Sequence, residues 1–282
     1  MSFNYFKVIT AAALLVIPGA SFANANEIVI DDNGDLRITL AGGDSRALRF
    51  SPADPVFPDD DGLELLPFTG SFDDPLELLP FTGSVFFGDP SDFPGTGGST
   101  FNVSLTVDGS LTIVETYFDF SGDIYIEANE DDGRDFVNFE DFNLEGTVNI
   151  LSGRGDDQIQ FSGMDVGGGL DVRARQGDDF HRIDTSTFRG PVVLRGFSGR
   201  DDFQIFGSSF LDDLRVRGGR DLDLFSISES AFTGDVTRFN GREGFDQINH
   251  GGNFPSLTSD NFRNMDIVVN FWILTDTLLP AQ

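Results

Sequence analysis

The stretch QGDDFHRI at residues 176–183 decides the fold, because the chain repeats it at a fixed distance. RGDDQIQF stands 22 residues earlier, at 154–161, and SGRDDFQI stands 22 residues later, at 198–205. Each copy places glycine and aspartate ahead of a run in which apolar and polar residues alternate. Glycine and aspartate favour turns, and alternation with a period of two is typical of β-strands. The pattern therefore predicts a strand that follows a tight turn once in every repeat.

Four sets of residues spaced by 22 keep their chemical character over five repeats. They are Asp135, Asp157, Asp179, Asp201 and Asp223; Phe139, Phe161, Ile183, Ile205 and Ile227; Val166, Phe188, Phe210, Phe232 and Phe254; and Val148, Leu170, Val192, Leu214 and Val236. A unit of short strands and turns cannot bury its apolar side alone, whereas stacked units can. The sequence therefore predicts an all-β parallel β-helix, or solenoid, with the apolar columns as its core. The usual crossover of parallel strands predicts that it is right-handed.

The first 25 residues are typical of a cleaved export signal. Lys7 precedes an apolar stretch from Val8 to Ile17, and Ala23-Asn24-Ala25 supplies the small residues of a cleavage site. The apolar stretch is shorter than the ~20 residues of a membrane-spanning helix. We therefore expect an exported protein, periplasmic, extracellular or on the cell surface, without membrane insertion.

The remaining residues, 26–282, are expected to form one β-helix domain. Earlier coils are predicted at 33–50, 108–115 and 121–139. Residues 51–100 hold most of the twelve prolines and two copies of LELLPFTGS, which predicts a loop insertion. The tail at 250–282 is predicted to cap the strand edges at the end of the stack.

The composition is strongly acidic and lacks cysteine. The formal net charge is −29, and removal of Lys7 with the signal takes it to −30. A surface of this charge repels nucleic acid, so we expect no nucleic-acid partner. Without disulfides, the exported chain depends on its apolar core for stability.

The aspartate column raises an electrostatic question, because adjacent strands lie ~4.8 Å apart and stacked carboxylates repel each other. One hypothesis is that Ca²⁺ bridges successive turns, since calcium binds six to eight oxygens. Its predicted ligands are Asp156, Asp157, Asp178, Asp179, Asp201, Asp202 and Asp223. The other interpretation is turn chemistry, in which carboxylates accept backbone N–H groups and Arg154, Arg200 and Arg220 neutralise part of the column.

The Gly-Asp-Asp and apolar columns between about 121 and 249 resemble those of secreted bacterial parallel β-helix repeat proteins. The chain is similar, more distantly, to the calcium-binding repeats of haemolysin-type exported proteins, although those repeats are nonapeptides. The resemblance implies a non-enzymatic structural, adhesive or matrix-associated module whose partner is an extracellular matrix or envelope component.

The alternative from another class is a polysaccharide lyase acting on acidic sugars. Arg173, Arg195 and Arg217 form a further column spaced by 22, and an arginine can act as the base in such a reaction. His181 replaces an apolar residue of a core column, and His250 is expected in a loop. With no cysteine and no serine motif near either histidine, the sequence gives nucleophilic catalysis little support and predicts no catalytic residues.

Overall fold

The computed structural model describes residues 7–10, 27–31, 33–40, 45–52, 99–107, 110–128 and 133–270. These residues form a parallel β-solenoid of about six turns, as the repeat predicts. Its strands belong to three sheets, which we call the first, second and third sheet.

The strand bounds follow in the order of the strands within each sheet. The first sheet contains β1 (Lys7–Thr10), β6 (Ser110–Phe120), β5 (Ser99–Val107), β4 (Ser45–Pro52), β8 (Arg134–Glu140), β11 (Gln158–Ser162), β14 (Phe180–Asp184), β17 (Asp202–Phe206), β20 (Leu224–Ser228), β23 (Gln247–Gly251) and β25 (Ile267–Asn270). The second contains β2 (Glu27–Ile30), β3 (Leu36–Leu40), β7 (Ile124–Ala128), β10 (Val148–Leu151), β13 (Leu170–Gln176), β16 (Val192–Ser198), β19 (Leu214–Arg220), β22 (Thr237–Glu243) and β24 (Phe262–Arg263). The third contains β21 (Ala231–Phe232), β18 (Ser209–Phe210), β15 (Thr187–Phe188), β12 (Asp165–Val166) and β9 (Asn143–Leu144).

The register of the strands reproduces the period of 22. Val148 pairs with Leu170, Leu170 with Val192, and Val192 with Leu214. The period then lengthens by one residue, because Leu214 pairs with Thr237 and not with Val236. The extra residue lies in the turn before β22, so the strands stay aligned while the sequence spacing changes.

The core consists of ladders of identical or similar side chains. Phe188, Phe210 and Phe232 stack with ring centroids 5.7 and 5.6 Å apart, and each such pair contributes roughly 0.5–1.5 kcal/mol beyond its buried area. The Phe139 column is buried throughout. Phe254, the predicted last member of the Phe188 column, is instead 74 % exposed, because the extra residue shifts the register and Phe254 lies opposite the outward-facing Ala231 and not opposite Phe232.

The beginning of the solenoid agrees with the sequence in part. The described residues of the coil predicted at 33–50 form it as expected, since β3 pairs in parallel with β7 and β4 with β8. The prediction of a coil at 108–115 is wrong, because β5 pairs antiparallel with both β4 and β6. Most of the predicted insertion, 53–98, lies outside the described residues.

The two predicted terminal segments take part in sheets where they are described. β1 lies within the predicted signal peptide and pairs antiparallel with β6. In the tail, β24 and β25 continue the second and first sheets in parallel. The rest of the predicted cap, 271–282, lies outside the described residues.

Candidate functional site

One aspartate of each turn, the second aspartate of Gly-Asp-Asp at 155–157 and 177–179, belongs to a buried column, which we call the aspartate ladder. Its members are Asp135, Asp157, Asp179, Asp201, Asp223 and Asp246, and all are at most 2 % exposed. One carboxyl oxygen of each turn accepts a hydrogen bond from the backbone N–H of the ladder residue in the turn before. The N–H of Asp157 donates to Asp179 Oδ1 at 2.9 Å, and that of Asp179 donates to Asp201 Oδ1 at 3.0 Å. The ladder thus satisfies backbone donors that the turns leave without a strand partner.

The first aspartate of Gly-Asp-Asp accepts its hydrogen bond from the following turn and not from the preceding one. Asp156 and Asp178 are exposed, and each accepts an N–H of the following turn, from Asp178 at 2.9 Å and from Arg200 at 2.8 Å. The glycine is required by the close approach of the turns. Gly177 has φ of +135°, and a Cβ there would collide with the carbonyl oxygen of Gly155. Each residue of the motif therefore has its own role in joining one turn to the next.

The second oxygen of most ladder carboxyls has no hydrogen-bond partner. This holds for Oδ2 of Asp157, Asp179, Asp201, Asp223 and Asp246. A column of small residues, five positions earlier in each turn, makes room for these oxygens: Ser152, Ala174, Gly196, Gly218 and Gly241. A Cβ on Gly196 or Gly218 would collide with Oδ2 of Asp201 or Asp223. The small column is a feature that the sequence analysis missed, although its spacing of 22 is visible.

Burial raises the pKa values of the ladder carboxyls well above the ordinary range. The pKa rises to about 8 for Asp157, about 7 for Asp179, about 9 for Asp201 and about 7 for Asp223. Desolvation is the largest cause, and neighbouring carboxylates add to it. Carboxyls with such pKa values stay protonated and neutral at mildly acidic pH. Most of the repulsion between stacked aspartates that the sequence suggests is therefore absent at that pH.

The ladder is neutralised at its first turn by an arginine from a distant part of the chain. Arg46 lies 89 residues before Asp135 and donates to it through Nε at 2.6 Å and Nη2 at 2.9 Å. Both side chains are essentially fully buried. The sequence analysis named Arg154, Arg200 and Arg220 for this role. No ion pair joins them to the ladder in the described ranges, and Arg220 lies instead 3.9 Å from Glu243.

The residues predicted as calcium ligands fall into separate environments. Asp157, Asp179, Asp201 and Asp223 are in the buried ladder, whereas Asp156 and Asp178 are exposed on the turns. Asp202 is half-buried in β17 and accepts a hydrogen bond from the Gln204 amide at 3.0 Å. Among the described residues, no group of three or more His, Cys, Asp or Glu side chains is arranged to hold a metal ion. Calcium binding stays a prediction.

A concentration of positive charge lies on the outer side of the second sheet. Alternation along β13, β16, β19 and β22 points apolar residues into the core and leaves the intervening positions outside. Seven of those outer positions are arginines, and we call this set the arginine face: Arg173, Arg175, Arg195, Arg215, Arg217, Arg238 and Arg242. In the strand register Arg173, Arg195 and Arg217 are neighbours, as are Arg215 and Arg238.

Part of this face lines an open pocket of about 310 Å³, which we call the arginine cavity. It is lined by Arg215, Val216, Arg217, Arg238, Asn240 and Arg242. Asp213 pairs with Arg215 at 2.9 Å, and Asp171 pairs with Arg173 and Arg195 outside the cavity. Within the residues described, no carboxylate pairs with Arg217, Arg238 or Arg242.

The pKa of Arg217 reflects this concentration of positive charge. Partial burial and then the neighbouring Arg242, Arg195, Arg215 and Arg238 lower its pKa. A guanidinium nevertheless keeps its proton in proteins. The cavity is therefore a local site of positive potential on a chain of net charge −29, which suits an anionic ligand.

Only part of this site is predicted from the sequence. Arg173, Arg195 and Arg217 form a predicted column, whereas the cavity residues Arg215, Arg238 and Arg242 were not predicted. The signal for the missing residues is the alternation in LRVRGGR (214–220) and TRFNGRE (237–243). Once these runs are recognised as strands with one buried side, their arginines fall on the same outer surface.

Neither histidine is placed for catalysis. His181 is 2 % exposed, its ring stacks on Phe203 at 4.7 Å, and neither ring nitrogen has a hydrogen-bond partner. Burial lowers its pKa to about 3. His250 lies in β23 and not in a loop, and it too is buried. Neither ring is accessible to a substrate.

Comparison of the chain with protein-family models, with curated proteins and with solved structures finds no match. In the part of the chain that the structure describes, no helix has the length and apolar character needed to span a membrane. The fold and the site together define the chain as a parallel β-solenoid with a basic cavity on one sheet.

Proposed function

We propose that the protein is an exported, non-enzymatic β-solenoid module of the extracellular matrix or cell envelope that binds an acidic polysaccharide through its arginine face. The observation that carries this proposal is the arginine cavity, where Arg217, Arg238 and Arg242 lie together without carboxylate partners. Uncompensated guanidinium groups repel one another, and an anionic ligand relieves that repulsion. Guanidinium also pairs with carboxylate or sulfate in a bidentate geometry that adds specificity.

The spacing of the charges favours a polysaccharide over nucleic acid. Arginines on successive strands lie ~4.8 Å apart along the axis of the solenoid, which is the spacing between neighbouring strands. Duplex DNA carries one negative charge per ~1.7 Å of its axis. Its repulsion from the acidic protein surface would therefore exceed its attraction to three arginines. A polysaccharide with at most one charged group per sugar has a lower charge density. The acidic remainder of the surface then confines such a ligand to the arginine face.

Calorimetric titration of the mature protein with a galacturonate hexamer at low salt tests the proposal. The informative variant is Arg217→Gln/Arg238→Gln/Arg242→Gln. The matched control, Arg154→Gln/Arg189→Gln/Arg200→Gln, removes the same charge from exposed positions elsewhere. We expect saturable binding that weakens as salt is added, is lost in the first variant and is retained in the control. Equal affinity of the two variants, or no binding by the wild type, would overturn the proposal.

The lyase alternative has one observation in its favour, the lowered pKa of Arg217. An arginine that acts as a base must lose its proton, and neighbouring positive charge makes that easier. The guanidinium group still has the highest pKa of the ionisable side chains, so binding is the function that the cavity supports better. A lyase releases unsaturated sugars that absorb ultraviolet light. Such products from the hexamer, abolished by Arg217→Ala, would establish the enzyme in place of the binding module.

A further inference from the structure

The arginine face has an exposed aromatic residue at its edge. Phe197, the sixth residue of β16, is 47 % exposed, whereas the phenylalanines of the core columns are buried. Two residues before it, Arg195 belongs to the arginine face. Among the described residues, Phe245 and Phe254 are also exposed, whereas most aromatic side chains fill the core.

The backbone at Phe197 has an unusual conformation. Its φ is +81°, in the left-handed region that favours glycine and is rare for a bulky side chain. Arg175 and Arg242, at the same register position, have φ of +82° and +77°. Backbone strain of this kind often accompanies a ligand site. Here it occurs on three of four neighbouring strands, each time with a large side chain.

The strand register places one residue, the buried Gly219, between Phe197 and the arginine cavity. Phe197 pairs with Gly219, and Gly219 pairs with Arg242, which lines the cavity. Gly219 cannot carry a side chain, because a Cβ would lie within 2.7 Å of the Phe197 backbone. The backbone of Phe197 and that of Arg242 are two strand spacings apart, or ~9.6 Å. Between them the sheet carries no side chain, and the backbone of Gly219 is buried.

We propose that Phe197 is an apolar platform on which one sugar ring of the ligand packs, while an acidic group of the same ligand pairs with the arginine cavity. A pyranose ring has a face of C–H groups that packs on an aromatic ring, and ligand sites commonly combine apolar surface with a few polar groups. The inference rests on the proposed function, since it specifies how the same ligand is held. It assigns a polyanion that contains sugar rings as the ligand class. The positive charge of the arginine face alone does not distinguish such a ligand from other anions.

Two probes separate the platform from the charge. The galacturonate hexamer has rings and carboxylates, and inorganic tripolyphosphate has charge without rings. For Phe197→Ala we expect the hexamer affinity to fall by about fivefold or more while the tripolyphosphate affinity stays within about twofold of wild type. Phe197→Tyr should restore the hexamer affinity. Phe254→Ala, the same change at an exposed phenylalanine beyond the end of the third sheet, is the control and should bind as wild type.

The outcomes for the platform and for the proposed function are distinguishable. If wild type binds the hexamer and Phe197→Ala binds it equally well, the platform is wrong and the arginine-face proposal stands. If wild type binds tripolyphosphate but not the hexamer, both are wrong, and the cavity recognises charge only. Tighter binding of a single-stranded oligonucleotide of equal charge, lost in Phe197→Ala, would replace sugar stacking by base stacking and overturn the polysaccharide class. Melting curves of each variant exclude loss of fold as the cause.

Discussion

Replacing Asp201 by Asn tests whether the aspartate ladder is protonated. Asp201 accepts the N–H of Asp179 at 3.0 Å through Oδ1, and its own N–H donates to Asp223 Oδ1 at 3.0 Å. Asparagine keeps an oxygen acceptor at the same place and a similar volume beside Gly196. It differs from aspartate in that it cannot ionise, so the substitution changes the response to pH more than the packing.

The magnitude follows from the pKa of Asp201. Its pKa is raised to about 9 by burial, then by neighbouring carboxylates, from an unfolded value of 3.8. Between these two values the folded chain holds one proton more than the unfolded chain at this site, so stability falls as pH rises, by about 1.36 kcal/mol per pH unit. From pH 5 to pH 7 the Asp201 contribution falls by about 2.7 kcal/mol, which corresponds to about 5 to 11 °C in melting temperature for a domain of this size.

Thermal melting at pH 5, 6, 7 and 8, at constant ionic strength, measures the effect. We expect Asp201→Asn to melt close to wild type at pH 5 and progressively above it as pH rises. Asp235→Asn, at an exposed position, is the control and should follow the wild-type pH dependence. A variant that shows the full wild-type pH dependence, or that is less stable than wild type at pH 8, would refute the protonated ladder.

Three further predictions concern the core, the first turn and metal. His181→Phe should raise the melting temperature, and more at pH 5 than at pH 7. The pKa of His181 is about 3 in the folded protein and 6.5 in the unfolded chain. Burying the neutral ring therefore lowers the free energy of unfolding as pH falls below 6.5, by about 2 kcal/mol at pH 5. An equal rise in melting temperature at both pH values would contradict this. Arg46→Met should destabilise the protein by about 3–5 kcal/mol in denaturant titration, because it leaves Asp135 buried without its ion pair. Adding Asp135→Asn should recover part of that loss, and no recovery would show that packing was the cause. Calcium added after EDTA treatment should leave the melting temperature unchanged if the ladder carboxyls serve only as hydrogen-bond acceptors. A saturable increase that disappears in Asp157→Asn/Asp179→Asn/Asp201→Asn would instead establish the calcium hypothesis.

The sequence by itself determined the repeating part of the fold. A period of 22 with apolar columns fixes which residues stack, because parallel strands in register bring each residue beside its counterpart in the next turn. The alternation within each strand then fixes which side is buried. For this reason the Phe139 column and the coil at 33–50 were predicted correctly from residue types alone.

The tertiary structure decided how the polar residues are used. Aspartates of one motif look alike in the sequence, yet one is exposed and the next is buried, and only their positions in the turn distinguish them. The partner of the first ladder residue, Arg46, is 89 residues away across a segment without the repeat, so no spacing points to it. The coil predicted at 108–115 was wrong because alternation does not distinguish parallel from antiparallel pairing. The arginine face likewise depends on four strands from four turns presenting the same side, and a net charge summed over the chain hides it.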